Sequence, residues 1–120
     1  MIILLYWKIG MLKGEIWMAN LNPNKGKEQS GQRPVVIISG NAMNSHFDMV
    51  IACPLSSKIK NFIGNVILEP SKSNGLSLRS EILVFQIRGI SKIRLQKRLG
   101  QIDSTEMVLI ETNLDKILKY

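Results

Sequence analysis

Of the side chains that act as bases, nucleophiles or metal ligands in most enzymes, this chain holds one histidine, His46, and one cysteine, Cys53. A single cysteine rules out an internal disulfide, and a single histidine rules out a zinc site of the Cys/His kind. The sequence offers no metal-ligand cluster, so no metal and no cofactor is expected. His46 has the intrinsic pKa of a general base, but it falls in an expected loop and reads as a structural or solvated side chain. Cys53 ends an apolar run and reads as a small buried hydrophobe. The chemistry that remains is cationic. Sixteen Lys+Arg stand against nine Asp+Glu, a formal charge of +7 on 120 residues. A domain that small and that basic suits nucleic acid, an acidic protein partner or an anionic membrane surface.

The charge is unevenly placed. Residues 1–101 carry 14 Lys+Arg and 5 Asp+Glu, whereas residues 102–120 carry 2 and 4. The basic surface therefore belongs to the body of the protein. Its most concentrated chemistry lies in residues 22–33, which hold no large apolar side chain and are punctuated by Asn-Pro, Lys-Gly and Ser-Gly. Such a stretch reads as a long surface loop. Lys25 and Lys27 sit in it, with Arg33 at its end.

The elements that must hold this loop are short and β-rich. Residues 15–21 predict a first strand, and 34–39, a continuous β-branched apolar run, a buried second one. A third is expected over 49–53, stopped by Pro54, with two more over 65–68 and 81–85. Residues 69–79, with Pro70 and Asn74-Gly75, form a second polar loop. Residues 93–102 predict a last short strand. The period then changes: Met107, Ile110, Leu114, Ile117 and Leu118 recur on one face of a helix, introduced by the capping pair Asp103 and Glu106. Five or six strands followed by one amphipathic helix suggest a small curled antiparallel barrel with the helix packed on it. With 45% hydrophobic and 21% charged residues, no repeat and no linker, residues 1–120 read as one folded domain. The opening MIILLYW is far short of the roughly 20 apolar residues that span a bilayer, and it lacks the flanks of a signal peptide. No membrane role is expected, and the cytoplasm is the expected location.

The segment Gly14-Glu15-Ile-Trp, with Gly26-Lys-Glu28-Gln29-Ser-Gly31-Gln-Arg33-Pro34-Val-Val-Ile-Ile-Ser39, resembles the MazF/PemK family of toxin ribonucleases. Those proteins carry a G-D/E-I/V-W/Y first strand and a G-x-E-Q-x-G-x-R-P loop running into an apolar strand. Cys53-Pro-Leu-Ser56-Ser57-Lys58, the stretch from Ser80 to Gln86-Ile-Arg88 and the closing helix agree as well. The resemblance covers about residues 13–118. It implies an SH3-like small β-barrel of the MazF/PemK/CcdB type with a C-terminal amphipathic helix. It also implies a homodimer, and a toxin of a type II toxin–antitoxin system held inactive by an acidic, MazE-like antitoxin. The implied activity is metal-independent, sequence-specific cleavage of single-stranded RNA, with mRNA as target. Attack by the 2′-OH would leave 2′,3′-cyclic phosphate and 5′-OH ends.

The resemblance places the catalytic pair at Arg33 and Ser56. An RNA chain supplies its own nucleophile, so proximity is already in place. The protein must stabilise charge developing on phosphorus. A permanently charged, planar guanidinium suits phosphate oxygens, and a hydroxyl donates to the same atoms. A guanidinium is a poor base, so the base stays unassigned. Ser56 stands where the family commonly has Thr, which keeps the hydroxyl. RNA contacts are expected from Lys25, Lys27, Glu28, Gln29, Ser57, Lys58, Ser80 and Gln86. For the loop residues the alternatives stay open: Lys25 and Lys27 contact RNA or antitoxin or only solubilise the loop, and Glu28 and Gln29 touch RNA or shape it. Trp7 and Trp17 could stack on bases, though a tryptophan in a first strand reads more readily as core.

Phe85 departs from the family, where an acidic or polar residue often precedes the Gln of the Q-I/V-R motif. A base-reading role for that position would give this chain a different cleavage sequence. Family members tend to begin just before the first strand, so residues 1–10 read as an extension. Two rival readings share the fold. A CcdB-like gyrase poison would end its helix in Trp-Gly-Ile, whereas this chain ends Lys-Ile-Leu-Lys-Tyr. A degenerate, non-catalytic RNA-binding barrel would keep only the positive charge.

Overall fold

The computed structural model describes residues 10–21, 31–62 and 65–120. Trp7 and the loop residues Lys25, Lys27, Glu28 and Gln29 lie outside the described residues. Among the described residues seven strands form: β1 (Glu15–Asn20), β2 (Gln32–Ile37), β3 (Met49–Ser56), β4 (Val66–Leu68), β5 (Ser80–Ile82), β6 (Arg88–Ser91) and β7 (Leu95–Gln101). The α-helices among the described residues are a short α1 (Asn41–His46) and the closing α2 (Ser104–Lys119). All strand pairs are antiparallel, in the order β4-β5-β3-β2-β1-β7, with β6 also on β3. Two register shifts in the β1–β7 pairing bend the sheet as bulges do. The result is a curled half-barrel with α2 packed on it, as a small mainly β fold with a C-terminal helix should be.

The continuous apolar run of β2 has a simple cause. Val36 belongs to one buried cluster, with Ile16, Cys53, Leu55 and the α2 residues Met107 and Ile110. Val35 and Ile37 belong to a second, with Val50, Ala52 and Ile90. Successive side chains point to opposite faces, and both faces are covered. Trp17 is half-buried against the second cluster. Its Nε1 donates to Glu15 Oε1 at 3.0 Å. It is packed rather than presented.

The expected boundaries change in several places, and β2 itself runs over Gln32–Ile37 rather than 34–39, which takes Arg33 from the loop into the strand. β3 does not stop at Pro54 but runs on to Ser56. One side of β3 pairs with β2, and the other pairs with β6 over Met49–Ala52 and then with β5 over Leu55–Ser56. Pro54 falls at that change of partner. Its carbonyl accepts from Leu83 N at 2.9 Å, and its missing N–H breaks only the end of the short β5 ladder. The strand expected over 81–85 is Ser80–Ile82 followed by a 3-10 turn, Val84–Gln86. Residues 93–102 divide into a 3-10 turn, Lys92–Arg94, and β7. β6 and α1 occupy stretches read as irregular, which raises five or six strands to seven.

At the start of α2 the capping box is complete: Glu106 N donates to Asp103 Oδ1 at 2.7 Å, and Asp103 N donates to Glu106 Oε1 at 2.9 Å. Met107 and Ile110 are buried and Leu114 is half-buried, but Ile117 and Leu118 are exposed. The expected apolar face is therefore used only over its first turns. The polar loop 69–79 is folded down on β7. A Cβ at Gly75, where φ is +68°, would lie 1.9 Å from Leu99 O, and one at Gly100 2.3 Å from Ser73 O. Only glycine permits that approach. Buried Asn74 holds the loop from inside, accepting from Ser71 N and Leu76 N and donating to Glu69 O.

Candidate nucleic-acid interface

Strand register brings together the two residues singled out as catalytic. In the β2–β3 ladder Val35 lies opposite Pro54. The paired ladder ends there, and continuing its register by two residues sets Arg33 across from Ser56. Directly opposed residues share a face of the sheet, and both side chains line one cavity of about 430 Å³. Lys58, Lys60, Phe62, Leu83, Phe85 and Gln86 complete its wall. A second depression, about 310 Å³, lies alongside and includes Gln32, Arg33, Ser57, Leu78 and Ser80. Arg33 lines both. Arg33 therefore stands where two depressions meet, the arrangement an extended strand would need to pass a phosphate across it.

Ser56 is buried, 5% exposed. Its Oγ accepts from Lys58 N at 3.1 Å and lies 3.4 Å from Lys58 O. The hydroxyl is thus fixed by the turn it starts, and its proton has only that long contact to the carbonyl. Across the β3–β5 ladder Ser56 pairs with Glu81. Glu81 is fully buried and accepts four hydrogen bonds. Lys60 N (2.9 Å), Asn61 N (3.3 Å), Phe62 N (2.9 Å) and Asn65 Nδ2 (3.1 Å) are the donors. Burial pushes the Glu81 carboxyl up, but the Lys60 N–H and the three other donors together bring it below its usual value. Asn65 in turn accepts from Asn113 Nδ2 of α2 at 3.1 Å. A buried anion thus wraps the loop after β3 around itself and ties it to the helix.

Phe62 and Phe85 face each other in the cavity wall, ring centroids 5.0 Å apart and planes at 70°. Phe85 and Gln86 are carried by the 3-10 turn behind β5, closed by Gln86 N donating to Leu83 O at 3.0 Å. Among the described residues, no three His, Cys, Asp or Glu side chains group so as to hold a metal ion. No helix among them is long and apolar enough to cross a membrane.

Residues 12–118 match the family model of the PemK-like, MazF-like toxins of type II toxin–antitoxin systems. The chain belongs to that family. An endoribonuclease MazF of Staphylococcus epidermidis is 34% identical over 104 residues, 86% of this chain and 87% of the relative. One from Staphylococcus saprophyticus is 34% identical over 107 residues, 88% of each. Among solved structures, MazF of Deinococcus radiodurans superposes with a TM-score of 0.79 at 23% identity, covering 91% of this chain and 96% of that one. A mycobacterial endoribonuclease in complex with its cognate antitoxin gives 0.69 at 26% identity, covering 89% and 91%.

In this toxin the structure gathers Arg33, Ser56, Lys58 and Gln86 around the larger cavity, and Arg33, Ser57 and Ser80 around the smaller. Ser80 is buried and donates its proton to Leu78 O at 2.8 Å, so it shapes the wall. His46 is exposed at the end of α1, its Nδ1 2.8 Å from Ala42 O, and lines neither cavity. Burial pushes the Cys53 thiol up to about 12, which removes it as a nucleophile. Sequence reasoning passed over Glu81, Lys60 and Phe62. Their sequence signal is faint, because the contacts that unite them span 19 to 21 residues.

Proposed function

We propose that this toxin is a metal-independent, sequence-specific endoribonuclease of single-stranded RNA, acting through the 2′-OH beside the scissile phosphate. One observation carries the reading: Arg33 and Ser56, on the neighbouring strands β2 and β3, line one cavity together with Lys58 and Lys60. The relatives' names, endoribonuclease MazF, support the same activity. The substrate brings its nucleophile with it, so the protein's task is to orient the chain and stabilise charge. Lys58 and Lys60 draw the backbone in. Arg33 offers a fork to the phosphate oxygens as negative charge builds on them, and the Ser56 hydroxyl donates to one of them. Glu81 is adjacent across the ladder but takes no proton from substrate. It is fully buried and its oxygens are engaged by four donors. Its task is to hold Lys60 and Phe62 in the wall.

Inhibition follows from charge. An acidic antitoxin segment would order itself along the basic cleft and exclude RNA from it. The antitoxin complex of the mycobacterial relative supports a partner of this kind. Two copies side by side would extend the cleft, so a homodimer is the expected working form.

The test is incubation of the purified protein with a long single-stranded RNA in EDTA, followed by sequencing and chemical analysis of the fragment ends. Discrete fragments with 2′,3′-cyclic phosphate and 5′-OH ends are expected. Cleavage at a site whose 2′-OH has been replaced by hydrogen overturns the mechanism. Loss of cleavage in EDTA overturns metal independence.

A further inference from the structure

Phe62 and Phe85 remain 43% and 46% exposed at the mouth of the larger cavity. Burial of an aromatic ring is strongly favourable, so two half-exposed rings side by side are costly unless something else covers them. Neither ring is loose. The Phe62 N–H donates to buried Glu81 at 2.9 Å. Phe85 sits in the middle of the 3-10 turn Val84–Gln86, whose Val84 is fully buried. The edge-to-face contact between them, 5.0 Å between centroids, fixes each ring against the other. In such a pair one ring contributes its edge and the other one face, which leaves flat aromatic surface for a third ring.

The same cavity says what that third ring is attached to. Arg33, Lys58 and Lys60 line it with positive charge, and Ser56 and Gln86 with hydrogen-bonding groups. A guest that satisfies both walls carries a flat ring and an anion within a space of about 430 Å³. A nucleotide unit of single-stranded RNA does so. The carboxylates of an acidic peptide would match the cations but would not cover the rings.

We propose that Phe62 and Phe85 form a stacking platform for one unpaired base next to the phosphate engaged by Arg33 and Ser56, which rests on the RNA-cleaving reading above. Stacking needs a base but discriminates weakly between bases. The nucleotide on the platform is required and tolerant of identity, with purines favoured for their larger face. Sequence discrimination then falls on neighbours within reach of hydrogen-bonding groups such as Gln86.

The experiment is a double-mutant cycle read by binding, so that it does not depend on cleavage. A single-stranded 2′-O-methyl RNA oligonucleotide selected for tight binding to the wild type, and versions each lacking one base, are titrated against the full-length wild type and Phe85→Leu, Phe85→Tyr and Phe62→Leu. One abasic position should weaken binding to the wild type by about tenfold. Phe85→Leu should weaken binding of the intact oligonucleotide by a similar factor, and the two losses should not multiply. Phe85→Tyr should restore binding. Independent losses, or Phe85→Leu binding as well as wild type, overturn the platform. So does a leucine variant that weakens only an acidic peptide. If the wild type cuts RNA and the cycle is additive, the platform fails and the ribonuclease reading stands. If the cycle is coupled and no RNA is cut, the platform stands and the ribonuclease reading fails.

Discussion

Arg33 and Ser56 differ in what their loss should cost. In the proposed mechanism Arg33 would supply full charge to a developing oxyanion, so Arg33→Ala is expected to lower the cleavage rate by about 10²–10³-fold with the fold intact. Ser56 would supply one neutral donor. Ser56→Ala should cost about tenfold, and Ser56→Thr should cleave near the wild-type rate because the hydroxyl is kept. Single-turnover cleavage of an excess-bound RNA separates these effects from binding. A wild-type rate in Arg33→Ala would misplace the site. Glu81 adds a pH signature. Its folded pKa lies below its ordinary one, so its contribution to stability is complete above the unfolded value, about 4.3. That contribution is lost as pH falls through the folded value. Thermal melts should therefore be level near neutrality and begin to fall below about pH 4.3. Glu81→Gln should flatten that acid slope. It should also lower stability at neutral pH by about 1–3 kcal/mol, because backbone donors lose their acceptor.

At the scale of the elements, the parts read correctly from sequence are those whose cause is local. β2 announced itself through its β-branched run, and the start of α2 through Asp103 and Glu106, three residues apart and hydrogen-bonded in both directions. The parts misread have distant causes. Pro54 looks like a stop until β3 is seen to change partners there. β6 exists because Arg88–Ser91 finds the far edge of Met49–Ala52, some forty residues upstream. The candidate site shows the same division. Arg33 and Ser56 were legible from their motifs, whereas Glu81, Lys60 and Phe62 meet only through hydrogen bonds across the β3–β5 crossing. The glycine contacts are another long-range feature with a sharp consequence. At Gly100 an added methyl group meets the Ser73 carbonyl, and backbone cannot swing aside as a side-chain tip can. Gly100→Ala is expected to destabilise by about 1–3 kcal/mol, and Gly75→Ala by at least as much, since a positive φ adds about 1–2 kcal/mol. Urea unfolding of the two variants checks this. Because loop 71–76 borders the smaller cavity, RNA affinity should fall with stability. A loop that peels away without loss of affinity would separate that cavity from the RNA path.

For the whole molecule the governing quantity is the distribution of charge. Residues 1–101 hold an excess of nine positive charges, and residues 102–120 an excess of two negative ones. The charged residues that line the two cavities, Arg33, Lys58 and Lys60, are all cationic. Lys58 and Lys60 are exposed, so at physiological ionic strength their reach is limited to about 8 Å. Much of their value comes from releasing counterions when a polyanion binds. On the proposed function RNA and an acidic antitoxin segment would compete for one surface under one law, and no conformational relay between separate sites would be needed. Affinity for each should fall steeply and in parallel as salt rises, and each should displace the other completely. The measurement is a titration of the acidic C-terminal peptide of the cognate antitoxin against RNA cleavage at several salt concentrations, with light scattering to follow mass. A dimer at micromolar protein, and an inhibition constant that tracks RNA affinity across the salt series, are expected. A peptide that binds without displacing RNA, or inhibits independently of salt, would place the antitoxin on another face of the barrel.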